Sequence, residues 1–330
     1  MMLICFGTRP EYVKIKPVLE AIRGHIDYKL LFTGQHVDLL SNINEEVTKL
    51  AIVNGSNRLD SIVESLMNTD PDIFDGVSSV LVQGDTTSVF AIALGAFHRR
   101  IKIIHLEAGL RSYNIDHPYP EEFNRRAVSI MADLHLCPTE ESAQNLRSEK
   151  VDGKIFVVGN TVLDHLTEVE TSYQNKVTVT LHRRENHPIM NTWFLALEDL
   201  ANEFPQYEFV LPIHPNPNVQ RHRDLLEKVK VIDPLPHNEF IDLLANSKLV
   251  ITDSGGLQEE SSFLRKKCIV CREYTERIEG MGTFSVTSTP LDLRDNFISL
   301  IDDHIPEGEC PYGDGHSGAK IRNVLLSEGF

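Results

Sequence analysis

The sequence predicts an α/β protein built from two Rossmann-like, doubly wound domains facing a central cleft. Three observations predict it. Short apolar, β-branched runs alternate with amphipathic stretches along the whole chain, the pattern of βα units on a parallel sheet. Each run gives way at once to polar punctuation, most of it containing glycine or proline. A chain of 330 residues is also long for one hydrophobic core and comfortable for two, at roughly 100–200 residues per domain.

In the first half the strand-like runs are residues 2–6, 28–32, 77–83, 101–106, 133–137 and 154–158. The second half repeats the pattern at 176–181, 209–213, 229–232, 248–252 and 268–271. The segment 167–175, polar and poor in large aliphatics, reads as a linker. The expected division is 1–168, 169–308 and a closing segment, 309–330, that crosses back onto the first domain. In open α/β sheets ligands bind beyond the carboxyl ends of the strands, so the punctuation is where function is sought.

Composition narrows the ligand. A formal net charge of -16 works against nucleic acid or an anionic membrane surface as partner, and an anionic ligand then needs a local basic site. Cys5, Cys137, Cys268, Cys271 and Cys310 form an odd, scattered set, the pattern of reduced thiols. No apolar run approaches the roughly 18 residues of a membrane span, and the first strand starts without a signal-like leader. The expected location is the cytoplasm. Cys268 and Cys271 lie within one strand-like run with no second pair, so they read as buried thiols. The 14 histidines lack zinc-enzyme spacing, and no metal is expected.

Two loops read as an anion site. After the first strand, Gly7, Arg9 and Pro10 open a helix, with Pro10 suited to its first position, Arg9 at the helix start and Lys14 on the next turn. The spaced glycines of a dinucleotide fingerprint are absent. Ser254, Gly255 and Gly256 stand at a strand-to-helix turn where backbone amides can approach a phosphate closely. Leu257 cannot complete a capping box there, which leaves the amides open. His182, Arg183 and Arg184 directly follow another strand, and guanidinium matches phosphate geometry.

A third group is acidic. Asp85 precedes an apolar helix, where it could serve as the N-cap. Glu107 ends a buried strand, where a carboxylate needs a partner or a function. Glu121 begins a helix after Pro120, on one face with Asn124 and Arg125, while Glu122 and Arg126 read as a surface i,i+4 pair. Crowded carboxylates separate their pKa values, so acid and base can coexist near neutral pH. Residues alone thus point to a nucleotide-sugar enzyme doing proton chemistry, or to a glycosyl transferase.

The ordered segments FGTRPEYVK, TGQH, QGDTT, HLEAGLR, PEEFNRR, GNT, HRREN, HPNPN, TDSGGLQEE, TERIE and PYGDG span nearly the whole chain. They resemble the non-hydrolysing UDP-N-acetylglucosamine 2-epimerases. The resemblance implies a glycosyltransferase-B type fold, a cytoplasmic homodimer, no cofactor, and interconversion of UDP-GlcNAc and UDP-ManNAc through a 2-acetamidoglucal. It implies Asp85, Glu107, Glu121 and His182 as catalytic residues. Implied substrate contacts are Arg9, Lys14, Arg111, Arg125, Arg183 and His214, together with Phe240, Ser254, Gly255, Gly256, Glu260 and Arg277. Gln35, His36 and Arg184 correspond to an activator site that takes a second UDP-GlcNAc. Gln83 stands where the family usually has histidine. The family motifs do not report carbons 3 and 6 of the sugar, so a modified UDP-sugar such as a diacetamido uronic acid is the alternative substrate. A hydrolysing 2-epimerase and an inactive UDP-sugar sensor rank behind it.

Overall fold

The structure, a computed structural model, describes residues 1–34, 43, 45–50, 52–53, 55–68, 71–275 and 277–330. It divides into two compact units, Met1–His165 with Gly313–Phe330, and Leu166–Tyr312.

Unit 1 starts with β1 (Met2–Phe6), α1 (Arg9–Ile22), β2 (Tyr28–Phe32), β3 (Val47–Lys49), α2 (Arg58–Met67) and β4 (Ser79–Gln83). It continues through α3 (Thr87–His98), β5 (Lys102–Leu106), α4 (Glu121–Met131), β6 (Leu134–Cys137), α5 (Glu140–Glu149) and β7 (Lys154–Val157). Its seven strands run parallel in the order β3-β2-β1-β4-β5-β6-β7. The order reverses between β1 and β4, and the crevice at such a switch point is where doubly wound sheets bind ligands. Leu3, Ile4, Leu81, Val82, Ile103 and Ile104 are buried to 1% exposure or less, as central parallel strands covered on both faces require.

Unit 2 carries β8 (Lys176–Thr180), α6 (Met190–Glu203), β9 (Glu208–Pro212), α7 (Pro217–Gln220), β10 (Lys230–Ile232) and α8 (His237–Ala245). Next come β11 (Leu249–Thr252), α9 (Gly255–Phe263), β12 (Lys267–Val270), β13 (Ser285–Thr287) and α10 (Leu293–Ile301). Its parallel sheet, β10-β9-β8-β11-β12-β13, reverses between β8 and β11. Trp193, Phe194, Phe209 and Phe297 centre its core. Ser172 and Gln174 donate backbone bonds to Ala245 and Asn246, which lays the segment expected as a linker along this unit.

The last helix, α11 (Ser317–Ser327), returns to unit 1 and packs on α1. Two of its unpaired N-terminal amides, Ser317 N and Gly318 N, donate to the Asp164 carboxylate at 3.0 and 2.7 Å. Every strand-like run of the sequence forms a strand, and Cys268, inside β12, and Cys271, just past its end, are buried thiols. The edge strands β3 and β13 were not expected. They are three residues long and partly polar, so no apolar run marks them. Pro10 is the second helical residue of α1, because Thr8 caps it and Arg9 comes first.

Candidate functional site

In unit 1 the functional side chains lie on the loops at the β1/β4 switch point and at the end of β5. Thr86, not Asp85, caps α3, its hydroxyl accepting from Val89 N at 3.4 Å. The N-cap reading of Asp85 therefore falls, and its carboxylate is available for other work. Arg125 Nη2 approaches Asp85 Oδ2 at 2.6 Å, and Asn124 Nδ2 donates to the Asp85 carbonyl at 2.8 Å. Both residues lie on α4, one turn beyond Glu121, which is half-buried at the first position of that helix.

Glu107 has φ +64°, a left-handed conformation that costs a non-glycine residue about 1–2 kcal/mol. Such strain persists where surrounding structure imposes it, often at functional sites. Here the imposing contacts are visible. Lys14 Nζ donates to both carboxylate oxygens at 2.5 and 2.7 Å, and Gln83 Nε2 donates to Oε2. Lys14 and Glu107 have side-chain exposures of 19% and 9%, so the pair is poorly screened by solvent. Arg9 is exposed at the start of α1.

Glu11 is a fourth acid that the sequence reading passed over. Its Oε2 accepts from Gly7 N at 2.5 Å and Thr8 N at 3.0 Å, completing a capping box, and only Oε1 lacks a partner. Burial raises its pKa against the bonds from Gly7, Thr86 and Thr8, and the nearby Asp85 charge raises it further. The capping-box spacing Thr8-x-x-Glu11 was the available signal.

A further expectation fails in unit 1. Glu122 is no surface partner of Arg126, because it is 0% exposed. Its carboxylate accepts from Ser112 N at 2.9 Å and Tyr113 N at 3.2 Å, and Arg125 Nη1 lies 3.3 Å away. The chain after β5 folds back over α4 and needs an acceptor for its amides, which helical spacing cannot show. Arg111 pairs with a different acid. Its side chain is fully buried, paired with Glu149 at 2.8 and 2.7 Å and bonded to Ser129 Oγ and its neighbour Leu110 O. Arg111 ties α5 to α4.

In unit 2 the switch-point loops are organised by Asp253, which is fully buried. It accepts from His182 N, Arg183 N and Asn186 Nδ2 at 2.9–3.1 Å, and His182 Nδ1 lies 3.3 Å from Oδ1. An ionised carboxylate only accepts, so it favours the tautomer with the proton on Nδ1 and leaves Nε2 as an acceptor. The His182 ring stacks on His214 with centroids 5.1 Å apart. Burial chiefly lowers the His182 pKa, and Asp253 partly opposes that.

Ser254 caps α9 without a side-chain bond, so the helix start keeps its amides for a ligand. Gly255 is needed for space: a Cβ there would lie 2.8 Å from the Arg277 guanidinium. Arg277 is 8% exposed and donates from Nε to Glu259 at 3.0 Å. Its carbonyl accepts from Gln258 Nε2 at 2.8 Å and Tyr312 Oη at 3.2 Å. Gln258, Glu259 and Tyr312 thus place Arg277, and the sequence reading named none of them as site residues. Glu260 is buried on α9, Phe240 is half-buried on α8, Arg183 is partly exposed, and His214 and Arg184 are exposed. Gln35 and His36 lie outside the described residues.

Paired parallel-sheet units, one presenting acids beside cations and the other an open helix start beside a placed guanidinium, define the class of nucleotide-sugar enzymes. The profile of the family described as UDP-N-acetylglucosamine 2-epimerase matches residues 20–326. The chain belongs to that family. It is 36% identical to the UDP-N-acetylglucosamine 2-epimerase of Campylobacter jejuni, over 98% of this chain and 97% of the relative. The crystal structure of the Neisseria meningitidis UDP-GlcNAc 2-epimerase bound to UDP-GlcNAc superposes with a TM-score of 0.87, 34% identity and 99% coverage of both chains. The Methanocaldococcus jannaschii enzyme in complex with UDP-GlcNAc and UDP gives a TM-score of 0.80 at 28% identity, covering 99% of this chain and 100% of that one. These likenesses bear out the α/β class with two parallel-sheet domains.

Proposed function

We propose that this chain interconverts UDP-GlcNAc and UDP-ManNAc, eliminating UDP to give a 2-acetamidoglucal and adding it back with a proton on the other face. Loss of the carbon-2 proton and of UDP leaves a neutral enol ether, and the return steps restore both groups. The observation that carries the reading is the clustering of Asp85 and Glu107 beside Arg125, Lys14 and Gln83, with Glu121 one turn from Arg125. Inverting carbon 2 needs a base on one face and an acid on the other. Ser254, Gly255, Gly256 and Arg277 suit the leaving diphosphate, whose charge grows as the bond breaks. Assigning both sets to one substrate rests on family membership. By the same reasoning, residues 1–168 supply acid and base, 169–308 hold UDP, and 309–330 close the first domain.

Proton NMR with UDP-GlcNAc in deuterated water tests the reading. UDP-ManNAc, with deuterium at carbon 2 of both epimers, is expected. Free ManNAc plus UDP would make the enzyme hydrolysing. No change from either epimer would leave a modified UDP-sugar, such as a diacetamido uronic acid, or a sensor.

We also propose a cytoplasmic homodimer. Cys5, Cys137, Cys268 and Cys271 are buried thiols, and no helix among the described residues is long and apolar enough to cross a membrane. Phe97 (55% exposed), Phe123 (46%) and Ile130 (74%) lie on the packed pair α3 and α4, where the Phe123 ring meets Phe90 at 5.6 Å. Exposed apolar groups on these two helices suit a second copy. Sedimentation should show a dimer that I130D weakens, and a wild-type monomer at micromolar concentration would refute this.

A further inference from the structure

His105 lies on β5 two residues before Glu107 and is fully buried. A polar ring in the buried run of that strand is costly unless it is hydrogen-bonded. Its Nε2 lies 2.8 Å from the Gly84 carbonyl oxygen, which can only accept, so Nε2 carries the proton. Its Nδ1 meets no hydrogen-bond partner among the described residues.

Gly84 is the residue where the chain leaves β4. Ladder pairing runs to Gln83 opposite Leu106, Gly84 N then donates to Leu106 O at 3.0 Å, and the backbone turns away at φ +78°. The carbonyl that the turn removes from the ladder is the one His105 holds. Gly84 stands between Gln83, which donates to Glu107, and Asp85, which pairs with Arg125. One imidazole therefore joins the backbone under Asp85 to the strand that carries Glu107. The charged and titratable groups acting on the ring are His135, Arg111 and Glu107, and burial outweighs them all, keeping it neutral with a pKa of about 3. His135, opposite it in the β5–β6 register, is buried too.

We propose that His105 is a positioning residue: its neutral ring holds the Gly84 turn so that Asp85 and Glu107 keep the separation that proton transfer needs. This rests on the activity proposed above, which a separate readout can isolate. Displacing a reacting group by about 1 Å can cost on the order of a hundredfold in rate.

The experiment compares wild type, H105Q and H105L in turnover of UDP-GlcNAc. Gln keeps an amide N–H where Nε2–H stands, and Leu fills the space without a donor. For H105L, kcat is expected to fall about ten- to a hundredfold with KM within about threefold, and H105Q should recover to within about threefold of wild type. A folded H105L with wild-type kcat overturns the proposal, and so does an H105Q as slow as H105L. If H105L does not fold, nitrogen NMR of the wild-type ring decides. An Nε2–H tautomer that does not titrate between about pH 5 and 8 is expected. An Nδ1–H tautomer, or titration in that window, overturns the proposal. Wild type that fails to turn over UDP-GlcNAc refutes the proposed activity instead, and the tautomer still settles the placement of the ring.

Discussion

Lowering the pH should loosen unit 1 through His105 in a way that one substitution can isolate. The folded ring has its pKa depressed by burial from an ordinary 6.5 to about 3. The unfolded chain therefore binds a proton that the folded chain refuses. Stability from this group is complete above pH 6.5 and is lost as pH falls towards 3. At about 1.4 kcal/mol per pH unit, the fall from pH 6.5 to 4 removes about 3 kcal/mol, a large part of a typical domain's stability. His135, also depressed chiefly by burial, adds a loss of the same sign. The assay is urea unfolding at stepped pH, with hydrogen exchange of β5 reporting unit 1 and fluorescence of Trp193, in the core of unit 2, as internal control. Gln cannot titrate, so the H105Q curve should lack this component. Wild type should lose about 3 kcal/mol more than H105Q over that range. Parallel curves for β5 would refute the buried, neutral assignment.

Three further outcomes follow from the site. R125M strips the cation from Glu122, which is 0% exposed, and should cost about 3–5 kcal/mol by denaturant unfolding as well as slowing turnover. An unchanged midpoint would mean that the Ser112 and Tyr113 amides suffice. In G255A the new methyl meets the Arg277 guanidinium at 2.8 Å, so calorimetry should show UDP affinity reduced about tenfold with α9 intact by circular dichroism. Wild-type affinity would remove Arg277 from the proposed contacts. Because His182 is held below its usual pKa range, chiefly by burial, its ring stays neutral as pH falls through 6.5. If turnover needs that neutral ring, kcat should hold from about pH 8 to below 6.5. A loss centred above 6.5 in wild type and absent in H182Q would contradict this.

Parts of this site were legible in the sequence because they depend on order along the chain. Strand-ending punctuation places Asp85, Glu107, His182 and Ser254 at carboxyl ends of parallel strands, and Leu257 shows that α9 starts without a capping box. Glu11 and Gln258 were present in quoted motifs, but a capping glutamate and a helical glutamine look alike whether or not they face a site. Helical spacing paired Glu122 with Arg126, whereas the fold paired it with Arg125 and two loop amides.

The sequence by itself determined the α/β class, the strands buried on both faces and the loops that carry chemistry. Those follow from periodicity and from where chain-bending residues fall. Only the tertiary structure decided which cation each acid meets. It gave Lys14 to Glu107 across 93 positions, Arg125 to Asp85 across about 40, and Arg111 to Glu149. Partner choice depends on which strands lie side by side and on which groups burial leaves unsatisfied, and neither is written in local sequence.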